Sequence, residues 1–366
     1  MKALVVGGTG PTGPFLVKAL LARKYAVTIL HRGTHEVPEI PSQVEHIHAD
    51  PHFRDTLDTA LKGRIFDLVV ATYGRLRFVA EALKGKTGRF IGVGGVACYR
   101  GHFHPEALFP VGMKVPTAES GPLVESEQEQ RFSWLIAETE RAVLRAHPNA
   151  ALLRYPYVYG PYQLVPREWC VIRRILDGRR FILLPDGGLT LMTHGYAENL
   201  AHAVMLAVER PQASAGQIYN CGDEQQLTLA QIVEVIARAM GRELEIIAVP
   251  DAAGSAARAL TLQHTSHHQL MDLHKIRSEL GYRDPVSVTE ALARTVRWYV
   301  EHQPERGGDI ERRLHDPFDY VTEDKLAAIC RDSLRRMAEL AVPPPERHHP
   351  YAHPKTPDQP RDHRER

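Results

Sequence analysis

From Lys2 to Gly95 the chain alternates short continuous apolar runs with stretches whose apolar residues recur at intervals of three and four. The runs KALVVGG, AVTILHR, VEHIHAD, FDLVVAT and GRFIGVGG read as strands, and residues 14–24, 54–62 and 76–84 as helices. A strand with one wet face alternates apolar and polar residues. LVV, FDLVV and FIGV do not, so helices must cover both faces of their sheet. Strand following helix in this way predicts a parallel sheet. Between 101 and 122 the periodicity gives way to Pro, Gly and His, which reads as a long loop of the kind that often covers a site. A helix over 125–147 and a strand AALLRY then return the chain to the sheet.

Past residue 160 the elements mix. LTLAQIVEVIARAMG is a helix with capping-box spacing at Thr228 and Gln231 and Gly241 at the C′ position, and Ser287 and Glu290 repeat that spacing. QIYNC and LEIIAV read as short strands. The resulting division is a parallel-sheet part over 1–160, a smaller α/β lobe over 161–304 interleaved with it, a helical extension over 305–342, and a Pro- and His-rich tail over 343–366 that lacks core-forming residues and reads as disordered.

Composition narrows the partners. With 45 Lys and Arg against 44 Asp and Glu, no global field recruits nucleic acid or an anionic membrane. No apolar run is long enough to span a bilayer and no cleavable leader pattern follows Met1, so a cytoplasmic protein is expected. Cys98, Cys170, Cys221 and Cys330 are too scattered for a disulfide framework or a zinc ribbon. The twenty histidines show no ligand spacing beside carboxylates or thiolates, so they read as solvated or core residues and no metal is expected.

VVGGTGPTG sits between a predicted strand and a predicted helix, with Gly7, Gly10 and Gly13 at three-residue intervals. A tight turn with φ > 0, close backbone approach to a pyrophosphate and close helix packing each demand glycine, and helix N-terminal amides then hold phosphate. Gly7, Thr9, Gly10, Pro11, Thr12 and Gly13 are therefore expected to bind a dinucleotide. At the end of the second strand, where an acid would take the ribose hydroxyls of NAD, stand His31 and Arg32. Either Arg32 pairs with a 2′-phosphate, favouring NADP over NAD, or it is a surface arginine opening a loop. Asp50 either meets the adenine amino group or caps its own turn.

GGTGPTG, RYPYVYGP, GQIYNCGDEQQLTLAQIVEVIARAMG, KIRSELGY and ARTVRWYVEH in this order resemble an extended short-chain dehydrogenase/reductase of the NAD-dependent epimerase/dehydratase group, over roughly residues 1–304. The resemblance implies a Rossmann-type doubly wound sheet with a small substrate lobe, a homodimer, and small-molecule substrates, commonly nucleotide sugars. It also implies a Ser or Thr, a Tyr and a Lys for hydride transfer, the last two four residues apart on one helix face so that the ammonium lowers the phenol pKa. Glu140 resembles the family glutamate eight residues after the tyrosine, which registers Phe132 on the tyrosine and Ile136 on the lysine. Counting back from Tyr99 places Gly95 on the serine. All three catalytic positions depart from the pattern.

Two functions remain. One is an atypical oxidoreductase or epimerase/dehydratase with a relocated proton donor, for which Tyr99 (beside Arg100) and Tyr73 (before Arg75 and Arg77) are candidates, Tyr73 also as a cofactor contact. Polar and aromatic density at Tyr73, Tyr99, Arg100, His102, Tyr155, Tyr157 and Tyr159 favours this reading, although Tyr99 could simply pack under the lobe. The other is a non-catalytic dinucleotide sensor, scaffold or RNA-associated protein, to which the four arginines of CVIRRILDGRRF could contribute.

Overall fold

A computed structural model describes residues 1–72, 74–253, 257–261, 266–340, 342–344 and 356–358. The strands are β1 (Lys2–Val6), β2 (Ala26–His31), β3 (Glu45–His48), β4 (Phe66–Ala71), β5 (Thr87–Gly95), β6 (Ala151–Tyr155), β7 (Tyr157–Tyr159), β8 (Phe181–Pro185), β9 (His194–Tyr196), β10 (Ile218–Asn220) and β11 (Glu245–Val249). The α-helices are α1 (Gly13–Ala22), α2 (Arg54–Ala60), α3 (Leu76–Ala82), α4 (Arg131–Ala146), α5 (Arg167–Leu176), α6 (Ala197–Glu209), α7 (Leu229–Ala239), α8 (His274–Leu280), α9 (Val288–Glu301), α10 (Asp309–Leu314) and α11 (Tyr320–Glu339).

Seven strands form one sheet in the order β10-β6-β5-β4-β1-β2-β3, every pair parallel. Because right-handed crossovers must pass over one face or the other, this order puts α1 and α6 on one side, in a core with Leu16, Val17, Leu200 and Val204, and α2, α3 and α4 on the other, with Leu57, Val79 and Val143. The apolar runs LVV and FDLVV are buried on both faces as their pattern requires, with Leu4, Val5, Val69 and Val70 at 0% exposure.

A second core gathers Trp169, Ile172, Ile182, Val233, Leu292 and Tyr299 around α5, α7 and α9. It lies beside two two-stranded parallel pairs, β8 with β11 and β7 with β9. β10 joins the main sheet although it falls in sequence between α5, β8 and β9 on one side and α7, β11 and α9 on the other, so the two cores are interleaved. The capping box of α7 forms in both directions, and Gly241 follows the helix at φ 65°. At α9 the Ser287 hydroxyl accepts from Glu290 N, half of the expected box. The helix expected from 125 starts at Arg131, because Gln130 is extended and its side-chain carbonyl caps Ser133 N at 2.8 Å.

The segment after α9 is tied down by buried charge. Arg174, 1% exposed, donates to both carboxylate oxygens of Asp316 at 2.6 and 3.0 Å and to Glu323. Arg173 bonds Glu311, and Arg179 bonds Asp324 at 2.6 Å. Three of the four arginines of CVIRRILDGRRF, Arg173, Arg174 and Arg179, thus fasten α5 and the turn after it to α10, α11 and the link between them. Their partners lie more than 130 residues further along the chain. The tail expected to be disordered falls largely outside the described residues.

Candidate active site

The carboxyl ends of parallel strands and the helix that follows them form the crevice where ligands meet this type of sheet. Gly7 follows β1 at φ 91°, a conformation that L side chains disfavour. A Cβ on Gly13 would sit 1.9 Å from the Gly8 carbonyl oxygen, and one on Gly8 would press on Ile29 at 2.8 Å, so α1 can approach the turn only because both are glycine. Gly10 meets nothing closer than 3.6 Å, which leaves the turn open on its outer side. Thr12 caps α1 without a side-chain hydrogen bond. A groove of about 690 Å³ runs past this turn, lined among others by Gly7, Thr9, Gly10, Pro11, Thr12, His31 and Arg32. A glycine turn that a Cβ would fill, a helix N-terminus and an arginine in its lining are donors suited to a dinucleotide diphosphate.

A second cavity of about 380 Å³ adjoins the first, the two sharing Thr72 beyond β4 and Tyr155 at the end of β6. Gly95, Phe132 and Ile136 all reach it, so the positions registered on serine, tyrosine and lysine do converge there, carrying no group that moves a proton. The two phenols in its wall are committed. Tyr155 donates to the Leu200 carbonyl at 3.2 Å, and Tyr157 donates to the Val165 carbonyl at 2.7 Å while accepting from Arg167 N at 2.6 Å. Burial pushes the pKa of both far up.

His102, Arg167 and Gln269 line the same cavity and are 9%, 3% and 3% exposed. Each carries a buried polar atom with no hydrogen-bond partner among the described residues: His102 Nδ1, Arg167 Nε and Nη2, and Gln269 Oε1. The loop is stitched here by Gln269 Nε2, which donates to the His102 carbonyl at 2.6 Å. Burial lowers the His102 pKa to about 4, leaving a neutral imidazole at physiological pH.

Tyr99 does not line either cavity. It is 1% exposed, donates to Asn220 Oδ1 at 2.7 Å and accepts from Arg154 Nη1 at 2.7 Å. Burial raises its pKa, Arg154 working against that shift. The cation beside the phenol is Arg154, held by Glu140, and not Arg100, which pairs with Glu129 at 2.6 Å. Asp50 does not line the groove; its carboxylate accepts from His52 N at 2.9 Å and meets His52 Nδ1 at 2.7 Å, which is the turn-capping arrangement. Tyr73 lies outside the described residues. Sequence reasoning singled out neither Arg167 nor Gln269. Arg167 opens a helix directly after Pro166, and Gln269 sits in a histidine-rich loop, so neither position carries a local signal.

Sheet order and glycine turn define a Rossmann-type α/β protein of the dinucleotide-binding kind. Residues 133–222 match the model of the NAD dependent epimerase/dehydratase family. Over that segment, about a quarter of the chain, the protein is similar to that family. An uncharacterised protein of Sinorhizobium fredii is 28% identical over 172 residues, 41% of this chain and 47% of the relative, so the match spans about half of that protein's length. The chloroplast stem-loop binding protein of 41 kDa b of Arabidopsis thaliana is 23% identical over 313 residues, 80% of this chain and 77% of the relative. Among solved structures, a dTDP-glucose 4,6-dehydratase of Streptomyces venezuelae with NAD bound superposes with a TM-score of 0.62 at 21% identity, covering 83% of this chain and 98% of that one. The likeness is one of fold. No helix among the described residues is long and apolar enough to cross a membrane.

Proposed function

We propose that the protein is an enzyme that uses a nicotinamide dinucleotide, NADP in preference to NAD, to act at a hydroxyl or carbonyl carbon of a small sugar-like substrate. The supporting observation is that three buried side chains in the wall of the cavity adjoining that groove, His102, Arg167 and Gln269, each carry a polar atom without a hydrogen-bond partner among the described residues. Leaving a buried polar atom unpaired costs about 1–3 kcal/mol, so a ligand that satisfies several of them is strongly favoured there. Arg167 suits a phosphate, carboxylate or polarised carbonyl, and Gln269 Oε1 suits a hydroxyl donor. A nicotinamide held in the groove would supply hydride transfer to or from the carbinol carbon. The chain's task is to orient that carbon and take or give the hydroxyl proton, and neutral His102 is the titratable side chain in the described wall not committed to a backbone carbonyl. Arg32, a lining residue of the groove, supports NADP, since a guanidinium pairs with a 2′-phosphate. The family resemblance is what supports a homodimer.

The test pairs calorimetry with turnover. NADP should bind more tightly than NAD, and Arg32→Glu should remove the preference. Turnover on a panel of nucleotide sugars, aldehydes and alcohols, followed by nicotinamide absorbance and by NMR, should fall about 10²- to 10⁴-fold in His102→Gln with dinucleotide affinity retained. Full turnover in His102→Gln, with loss in Tyr73→Phe, would return the proton to the tyrosine that follows Thr72. A second reading, a dinucleotide-responsive binding protein, is favoured by the apolar pair Phe132 and Ile136 and by the stem-loop binding relative. Dinucleotide binding with no turnover across the panel, and retention of a stem-loop RNA, would decide for it.

A further inference from the structure

β2 and β3 run parallel in a register that sets His31 opposite His48. Side chains two apart on a strand share a face, so His46 and His48 stand on one side of β3, and His31 joins them from β2. The loop after β2 brings Glu36 across the three rings. His31 Nε2 lies 3.1 Å from His46 Nδ1. The Glu36 carboxylate lies 3.3 Å from His46 Nδ1, 3.5 Å from His48 Nε2 and 3.8 Å from His31 Nε2. All four donor atoms fall within 4.8 Å of one another.

These separations carry information. Zinc binds imidazole nitrogen and carboxylate oxygen at about 2.0–2.1 Å, and a tetrahedron of that radius has edges of roughly 3.3–3.4 Å. With Glu36 Oε1 as the carboxylate donor, the three edges His31–His46, Glu36–His48 and Glu36–His31 lie between 3.1 and 3.8 Å. The donor set, three imidazoles and one carboxylate, is the chemistry of zinc rather than of calcium or magnesium, which demand oxygen. We infer that His31, Glu36, His46 and His48 form a binding site for a zinc-like divalent cation.

Without metal the cluster closes on its own hydrogen bonds: Gly33 N donates to His31 Nδ1 at 3.3 Å, which leaves the proton on Nε2 facing His46. Metal at Nε2 moves that proton to Nδ1, so the bond from Gly33 N is given up and that amide turns away as the ion binds. Entry from solvent is direct, since the side chains of Glu36 and His48 are 55% and 57% exposed. His31 is also a wall residue of the dinucleotide groove, and Arg32 follows it. An ion joining His31 and Glu36 to β3 pins the loop that carries Arg32, so occupancy of the site is coupled to dinucleotide affinity. This coupling rests on the dinucleotide reading above; the metal site itself does not.

The experiment begins with Zn²⁺ alone. Full-length protein stripped with a chelator is titrated with Zn²⁺ against a chromophoric competitor, with no dinucleotide present. Wild type should bind one equivalent, His46→Ala/His48→Ala should lose roughly 10²-fold or more in affinity, and His104→Ala, at a surface histidine outside the cluster, should bind as wild type. Co²⁺ should give the intense visible bands of a tetrahedral site in wild type only. His48→Ala alone, at a half-exposed position, serves if the double variant does not fold, judged by circular dichroism. Zinc uptake by wild type no tighter than by either cluster variant overturns the site. The NADP dissociation constant is then measured with and without Zn²⁺. A shift in wild type that is absent in the cluster variant supports the coupling, and no shift overturns the coupling while leaving the metal site standing.

Discussion

Removing the carboxylate charge of Glu140 by Glu140→Gln tests how the centre of the molecule is held. Glu140 and Arg154 are 3% and 2% exposed, and the pair is bidentate, Nε to Oε1 at 2.8 Å and Nη2 to Oε2 at 2.7 Å. Burial works against the Arg154 charge, but the hydrogen bonds and charge of Glu140 more than offset it and raise its pKa. The glutamine keeps the shape but turns an amide N–H₂ toward the guanidinium and leaves a buried cation uncompensated. Breaking one side of a buried pair costs about 3–5 kcal/mol. The matching change at Glu127, which pairs with Arg131 at 45% and 75% exposure, should cost no more than about 0.5 kcal/mol because water screens it. Urea titrations of both variants give the comparison, and the Glu140 variant should also melt roughly 5–10 °C lower. Glu140→Leu combined with Arg154→Met should recover much of the loss, since an apolar pair needs no desolvation. A Glu140→Gln loss below about 1 kcal/mol would refute the reasoning, for it would mean that water reaches the pair in the folded protein.

Tyr99→Phe strips the hydroxyl that links Asn220 to Arg154 and should cost about 1–3 kcal/mol in urea while leaving dinucleotide affinity unchanged; loss of turnover with full stability would make the phenol catalytic after all. Gly13→Ala should abolish dinucleotide binding in calorimetry and cost at least about 1–3 kcal/mol, because the new Cβ meets backbone rather than a movable side chain. Burial pushes the Glu168 pKa up to about 7 from 4.5, so folded Glu168 holds its proton where the unfolded chain has lost it. Wild-type stability therefore falls as pH rises through that interval, and Glu168→Gln should gain on wild type between about pH 5 and pH 8, by on the order of 2–3 kcal/mol. Removing residues 343–366 should leave melting temperature and dinucleotide affinity as they are, whereas removing 305–366 should lower stability by exposing Arg174 without its carboxylates; equal melting curves for both truncations would contradict the anchoring.

Strands, helices and sheet type were legible in the sequence because they depend on local pattern: continuous apolar runs, periodicity of three and four, the capping residues at Thr228 and Gln231. Phe132 and Ile136, four apart on α4, both line the second cavity, as residues sharing a helix face can. What escaped depends on contacts between distant residues. The Tyr99 hydroxyl is engaged by residues 55 and 121 positions away, which no local signal announces. The arginines after Cys170 looked solvated because their partners lie in another helix. The grouping of His31, Glu36, His46 and His48 was not legible because the parallel register of two strands brings its members together, whereas sequence spacing reveals only the alternation of His46 and His48.

The extension after α9 reaches both cavities. Asp309 and Arg313 of α10 stand in the wall of the dinucleotide groove, and the Leu314 carbonyl accepts from Arg167 Nη1 at 2.6 Å. The guanidinium offered to a substrate is thus aimed by a segment outside residues 133–222, the part that carries the family signature. Ligand choice in this protein can drift through changes in α10 and α11 while the shared scaffold stays intact. Two homologues alike across the scaffold but different in this appendage need not accept the same molecule, and a substrate borrowed from a relative is only as good as the match in that appendage.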